Sequence, residues 1–243
     1  MFLSGICDIG SRGYSNVAHP VKCIPFLPEV VKDAIAIRNV SDSRKEIPVT
    51  FYRRYAEWKK LDFHAPRFRR VEKLRFIPLE SENDQLIGVF GKRTATFLML
   101  LRDTGARAGE AWNLKWQDID VNNKTVTIKP EKRSRPRRLG ISSQTLAMLL
   151  SIPKKSEYPF GGDKFNTFAA RFFVRRKRVA ENLQNSCLRR IGFKTPRHFK
   201  ATIEYHSTKH ILHVMNLLGH RNIKNTLFIH THSTLRTMSM FPK

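Results

Sequence analysis

The 243-residue sequence predicts a mainly α-helical protein carrying one small antiparallel β-sheet, an α+β fold. Three observations support that expectation. From about Pro78 onward, apolar residues recur at helical spacing in segments long enough to form helices. Between Gln117 and Ser142 the period changes to two, the signature of strands. Gly105 and Gly219 each close a helical segment, where glycine supplies the left-handed residue that stops a helix.

In chain order, residues 1 to about 45 are weakly patterned, with a turn-like "AHPVKCIPFLP", a short amphipathic helix "EVVKDAIAIRNV" and a polar break "SDSRKEIP". A helix "VTFYRRYAEWKKL" follows, with aromatic residues on one face and basic residues on the other. "DFHAPRFRRVEKLRFIP" reads as a basic linker, so residues 1–69 are expected to form an N-terminal helical portion with its linker and residues 70–240 the main domain. There "ENDQLIGVF" and "KRTATFLMLLRD" are helices, and Arg107 begins another, "RAGEAWNLKW", with Ala111, Leu114 and Trp112 facing inward. "TVTI" pairs with "RRLGI" across a basic, proline-bounded loop. Ser142 or Ser143 caps "QTLAMLLSI", "KFNTFAARFFVRRKRVAENL" is a long basic helix, and "ATIEYHSTKHILHVMNLLG" gives one or two more.

Lys and Arg number 45 against 20 Asp and Glu, a net charge of +25. So large an excess calls for a polyanionic partner, and nucleic acid is preferred to a membrane because "FLMLL" and similar runs are too short to span a bilayer. The opening "MFLSGICDIGSRG" lacks a basic n-region, and Cys7, Cys23 and Cys187 are widely spaced without a CxxC pair. An intracellular, cytoplasmic protein with free thiols is expected. Two basic runs suit phosphate tracking: "KPEKRSRPRR", with Arg133, Arg135, Arg137 and Arg138, and "RFFVRRKR", with Arg171, Arg175, Arg176, Lys177 and Arg178. His206, His210 and His213 fall at helical spacing on one expected helix, but Ser207 stands where a zincin has Glu and no further ligand is well spaced. No metal and no other cofactor is expected.

The stretches "TGARAGEAWNLKWQDID" and "KTPRHFKATIEYHSTKHILHVMNLLGHRNIKNTLFIHTH" bring arginines, a lysine and a histidine into ordered boxes, groups suited to the charge of a phosphodiester under attack. Over about residues 70–232 the chain resembles the tyrosine recombinases, the phage-integrase family, and most closely its archaeal branch. The resemblance makes Arg107 the first catalytic arginine, with Glu110 the acid on its helix and Trp116 and Asp118 at the strand entry. Arg197 becomes the second arginine, Lys194 stands where the family usually has histidine, and His220 is the third-box histidine. Lys132 best matches the hairpin lysine, with Lys129 as its rival.

The family's nucleophilic tyrosine lies nine positions after the third-box histidine, where this sequence has Ile229; if one residue is missing, Phe228 takes the place. Tyr205 lies before that box and is a poor substitute. The resemblance implies a tyrosine-recombinase catalytic fold after a partial core-binding-like portion, acting on double-stranded DNA as a homo-oligomer, a tetramer. It implies a cofactor-free exchange through a 3′-phosphotyrosyl link, serving integration or recombination of mobile DNA. The alternative is a cleavage-defective DNA-binding relative, or a variant whose tyrosine was removed. A helical transcription regulator is disfavoured, since a helix-turn-helix needs no two distant arginine boxes.

Overall fold

A computed structural model describes residues 27–68, 75–131, 134–161 and 164–230, with only the backbone of 228–230. The chain divides into two compact units, Met1–Lys73 and Leu74–Lys243.

In the first unit, α1 (Pro28–Ala36) starts with proline in its first turn, where a missing N–H costs nothing. Helix α2 (Asp42–Lys59) buries Val49, Tyr52 and Ala56 along one stripe. Tyr52 meets Phe63 edge-on at 4.7 Å, and Lys60, in the left-handed conformation, ends the helix. The polar break expected over "SDSRKEIP" is instead the start of α2. Arg44 and Lys45 donate their N–H groups to Ser41 O, and Pro48 forfeits one helical bond without ending the helix. The polar residues are simply its exposed first turns.

In the second unit, α3 (Glu80–Val89) and α4 (Lys92–Thr104) come first. Helix α4 is buried nearly all round, from Ala95 through Leu101, and is the central element. Phe97, fully buried, makes edge-on contacts with Trp112, Phe160, Phe168 and Phe193. Helix α5 (Ala108–Trp112) is shorter than the sequence suggests. Trp116 N–H is drawn off to Glu157 O and its indole N–H to Ser156 O, so the chain leaves the helix and turns through a 3-10 segment, Trp116–Asp118. Ala111 and Leu114 are buried as expected, while Trp112 is half-buried.

Strands β1 (Ile119–Asp120), β2 (Thr125–Ile128) and β3 (Arg137–Gly140) form an antiparallel sheet in that order, with Val126 opposite Leu139 and Ile128 opposite Arg137. Ser142 caps α6 (Ser143–Leu150) by accepting from Thr145 N–H. Asp103 of α4 accepts from Ser142 N–H and Thr145 Oγ1, tying the two helices together.

Helix α7 (Phe165–Asn182) lays Phe168, Phe172 and Val179 on the core, and a 3-10 turn (Ser186–Arg190) leads to α8 (Thr195–Thr208). The final segment gives two helices, α8 and α9 (Ile211–Leu218), because Lys209 adopts the left-handed conformation, with φ 54°. His206, His210 and His213 therefore do not share a helix. His210 caps α9 by accepting from His213 N–H, and His213 meets Glu204 at 3.0 Å. Helix α10 (Lys224–His230) follows. Among the described residues Cys187 is half-buried and in no disulfide, and no helix is long and apolar enough to cross a membrane.

Candidate phosphodiester site

Two helix ends create the site. Gly105, at φ 59°, stops α4 and leaves its carbonyl free of the helix, while Thr104 Oγ1 accepts from Ala106 N–H to shape the turn. Arg107 is the N-cap of α5 rather than its first helical residue. At the other end Gly219, at φ 67°, closes α9, with His220 N–H donating to Met215 O. Arg197, in the first turn of α8, joins the two: Nη1 donates to Gly105 O at 2.8 Å and Nη2 to Leu218 O at 2.7 Å. Its Nη2 also lies 2.9 Å from His220 Nε2. Guanidinium cannot accept, so Nε2 is the acceptor, and the neutral imidazole carries its proton on Nδ1 and donates it to Thr226 Oγ1 at 2.9 Å.

Glu110 is the only carboxylate among these groups and is almost fully buried. Its oxygens accept from Arg107 N–H and Nη1 (both 3.0 Å), Ser134 Oγ (2.6 Å) and Arg137 Nη2 (2.6 Å). Burial opposes its ionisation, but the hydrogen bonds from Arg137, Ser134 and the Arg107 backbone prevail and hold its pKa at about 2. Arg137 in turn lies against the third-box turn: a β-carbon on Gly219 would come within 2.8 Å of Arg137 Nη1 and 3.1 Å of Arg135 O. The same turn accepts a backbone hydrogen bond, from Arg135 N–H to Gly219 O at 3.2 Å. Contacts thus run unbroken from Arg107 through Glu110, Arg137 and Gly219 to Leu218, Arg197, His220 and Thr226.

The electrostatics follow from three guanidinium groups sharing one acid. Burial, then the charges of Arg107 and Arg137, lower Arg197 to about 9. His220 is lowered to about 4 by burial first and then by Arg197, Arg107, Arg137 and Arg75, so it is neutral near pH 7. Such a site is short of negative charge, and its chemistry suits an anion with several acceptor oxygens.

Of the residues picked out from the sequence, Arg107, Arg197 and His220 come together here. Lys194 is exposed at the N-cap of α8, where its charge acts on His198. Lys132 and Arg133 lie outside the described residues. Their neighbours are described: the Glu131 carboxylate sits where a β-carbon on Gly109 would be, 2.3 Å away, and Ser134 is bound to Glu110. Lys129, the rival lysine, is paired with Asp118 at 2.9 Å. Phe228 and Ile229 lie in α10, and only their backbone is described.

The basic runs divide. Arg135, Arg138, Arg171, Lys177 and Arg178 are exposed, as a phosphate-tracking role requires. Three others are bound to groups of the protein itself. The Arg137 side chain is buried on Glu110 and half-buried Arg176 donates to Ile191 O, while Arg175 donates to Val89 O from an exposed position. Arg137 could have been found from strand alternation, since Leu139 two residues on marks the inward face of β3. Ser134, Thr226, Arg75 and His198 carried no such signal.

The site thus belongs to a helical domain with a three-stranded sheet that gathers arginines from distant segments around one buried acid. The profile of the phage integrase family matches residues 79–236, and the chain belongs to that family. The chain is 27% identical to tyrosine recombinase XerA of Saccharolobus solfataricus, in an alignment covering 79% of this chain and 65% of that relative. It is 26% identical to a probable integrase/recombinase of Methanocaldococcus jannaschii, over 90% and 78% of the two chains. Its fold is similar to a crystal structure of XerA recombinase, with TM-score 0.57, 19% identity, and 91% and 86% coverage. It is also similar to the Tn1549 transposon integrase in complex with transposon right-end DNA, with TM-score 0.68, 12% identity, and 91% and 85% coverage.

Proposed function

We propose that this chain binds double-stranded DNA as a site-specific recombinase or integrase and grips one backbone phosphate between Arg107 and Arg197, with His220 beside them. The observation that carries this is the excess of cations: Arg107, Arg137 and Arg197 neighbour one another around the single acid Glu110. Family membership points the same way, and so do the structural relatives XerH and the Tn1549 integrase, which were seen bound to DNA. Arg197 keeps two N–H groups for a phosphate after serving two carbonyls and His220. Lys132 would donate the proton to the leaving oxygen, and Lys194 would approach from the start of α8. Residues 70–240 would form the catalytic domain and 1–69 a partial core-binding-like portion, with the protein working as a tetramer on its site.

Cleavage is a separate matter, because neither Phe228 nor Ile229 has a nucleophilic oxygen. The register of α10 supports position 229 as the vacated one. Thr226 meets His220, and position 229 lies one turn further on the same face, whereas 228 falls across the helix. That absence favours a second reading, a relative that binds its site without cutting it. A nicked suicide substrate resolved on a denaturing gel tests both. The unmodified chain should give no covalent adduct, and Ile229→Tyr should give one. An adduct only with Phe228→Tyr restores the other register, and none in any lane favours the binding-only protein. An adduct with the unmodified chain means that another residue is the nucleophile.

A further inference from the structure

Arg75 lies far from the family's boxes in sequence, yet its Nη1 is 3.2 Å from Nδ1 and 3.1 Å from Nε2 of His198. The two ring nitrogens flank one carbon and their lone pairs diverge, so an atom equally near to both sits over the ring face rather than in its plane. Arg75 Nη1 therefore lies against the face of an imidazole, and no described carboxylate is paired with Arg75. The segment is held in place, with Phe76 under the Arg190 guanidinium at 4.2 Å and Ile77 buried. His198 directly follows Arg197 in the first turn of α8 and is half-buried, while Arg75 itself is exposed.

We propose that Arg75, supported by the His198 ring, binds a second backbone phosphate of duplex DNA, a neighbour of the one gripped by Arg107 and Arg197. This rests on the DNA reading given above. A guanidinium placed against a neutral ring instead of an acid is fixed in position while its charge remains available to a ligand. His198 is neutral in this setting: burial first, then Arg75, Arg197 and Lys194, lower its pKa to about 4. Arg75 is also among the charges that depress His220, which places its guanidinium within the field of the main site.

The test uses the full chain and a mixed-sequence DNA duplex, with affinity read by fluorescence anisotropy over a salt series. The proteins are the unmodified chain, Arg75→Ala, His198→Ala, His198→Phe and the double alanine variant. Arg75→Ala should lower the slope of log affinity against log salt by ~0.9, the loss of one phosphate contact. It should also weaken binding about tenfold at fixed salt, as expected for a charged hydrogen bond. His198→Ala should match it, His198→Phe should keep the unmodified slope because a ring remains, and the double variant should be no weaker than Arg75→Ala. An unchanged slope in Arg75→Ala, or losses that multiply in the double variant, overturns the proposal and leaves the main reading intact. An unmodified chain whose binding ignores salt overturns both. If His198→Ala lowers the melting temperature, Arg75→Ala, at an exposed position, decides alone.

Discussion

Glu110 balances Arg107 and Arg137 from a position with no exposed side-chain surface, so its charge matters more than its shape. Glu110→Gln should lower stability by about 3–5 kcal/mol, the range for removing one partner of a buried pair. Added sulfate should recover part of that loss in thermal unfolding, because it returns negative charge to the arginines. The two site histidines predict a pH dependence. His198 and His220 fall from 6.5 to about 4 on folding, so between those values the unfolded chain takes up protons that the folded chain refuses. Stability should therefore fall as pH drops through that window. Glu110, lowered from 4.5 to about 2, adds a loss of the same sign below 4.5. A melting temperature that is flat from pH 6.5 to 4 would contradict the burial of both rings.

At the scale of elements, the two helix-ending glycines differ in what surrounds them. Gly105 needs its positive φ, but an added β-carbon would meet neighbours only at 3.4 Å, so Gly105→Ala should cost about 1–2 kcal/mol, the left-handed penalty alone. Gly219→Ala should cost more and also weaken DNA binding, because Arg137 and the backbone of Arg135 occupy the space. Thermal melts of the two variants give the comparison. The helices, the hairpin and both glycine stops could be read from the sequence because each is written in local periodicity. What could not be read is contact between distant segments. The start of α2 reads as a break because Asp42, Ser43, Arg44, Lys45 and Glu46 are polar and show no apolar period. The sequence admits one helix or two over the α8–α9 segment, since the apolar pattern runs past Lys209 and His210. Of the site, Arg107, Arg197 and His220 were legible through their boxes. Arg75, Ser134 and Thr226 were not, as each acts across a gap in sequence that no period records.

For the molecule as a whole, a net charge of +25 predicts steep salt dependence of duplex binding. If about six phosphates are neutralised, log affinity should fall with a slope of about 5 against log salt. The cations of α7 should divide when tested singly. Replacing Lys177 or Arg178 with alanine should reduce that slope without moving the melting temperature, whereas replacing Arg176, bound to Ile191 O, should lower the melting temperature first. Arg197 is held from both of the helix ends that make the site. Its fixed partners at Gly105 and Leu218 are main-chain carbonyls, and Arg135 reaches Gly219 through main-chain atoms as well. Main-chain atoms are common to every residue type, so mutational drift at 218 or 135 leaves these particular bonds in place unless it introduces proline at 135. A lineage can then lose the residue that cuts while inheriting the grip unchanged, and such a descendant would compete with active relatives for their sites.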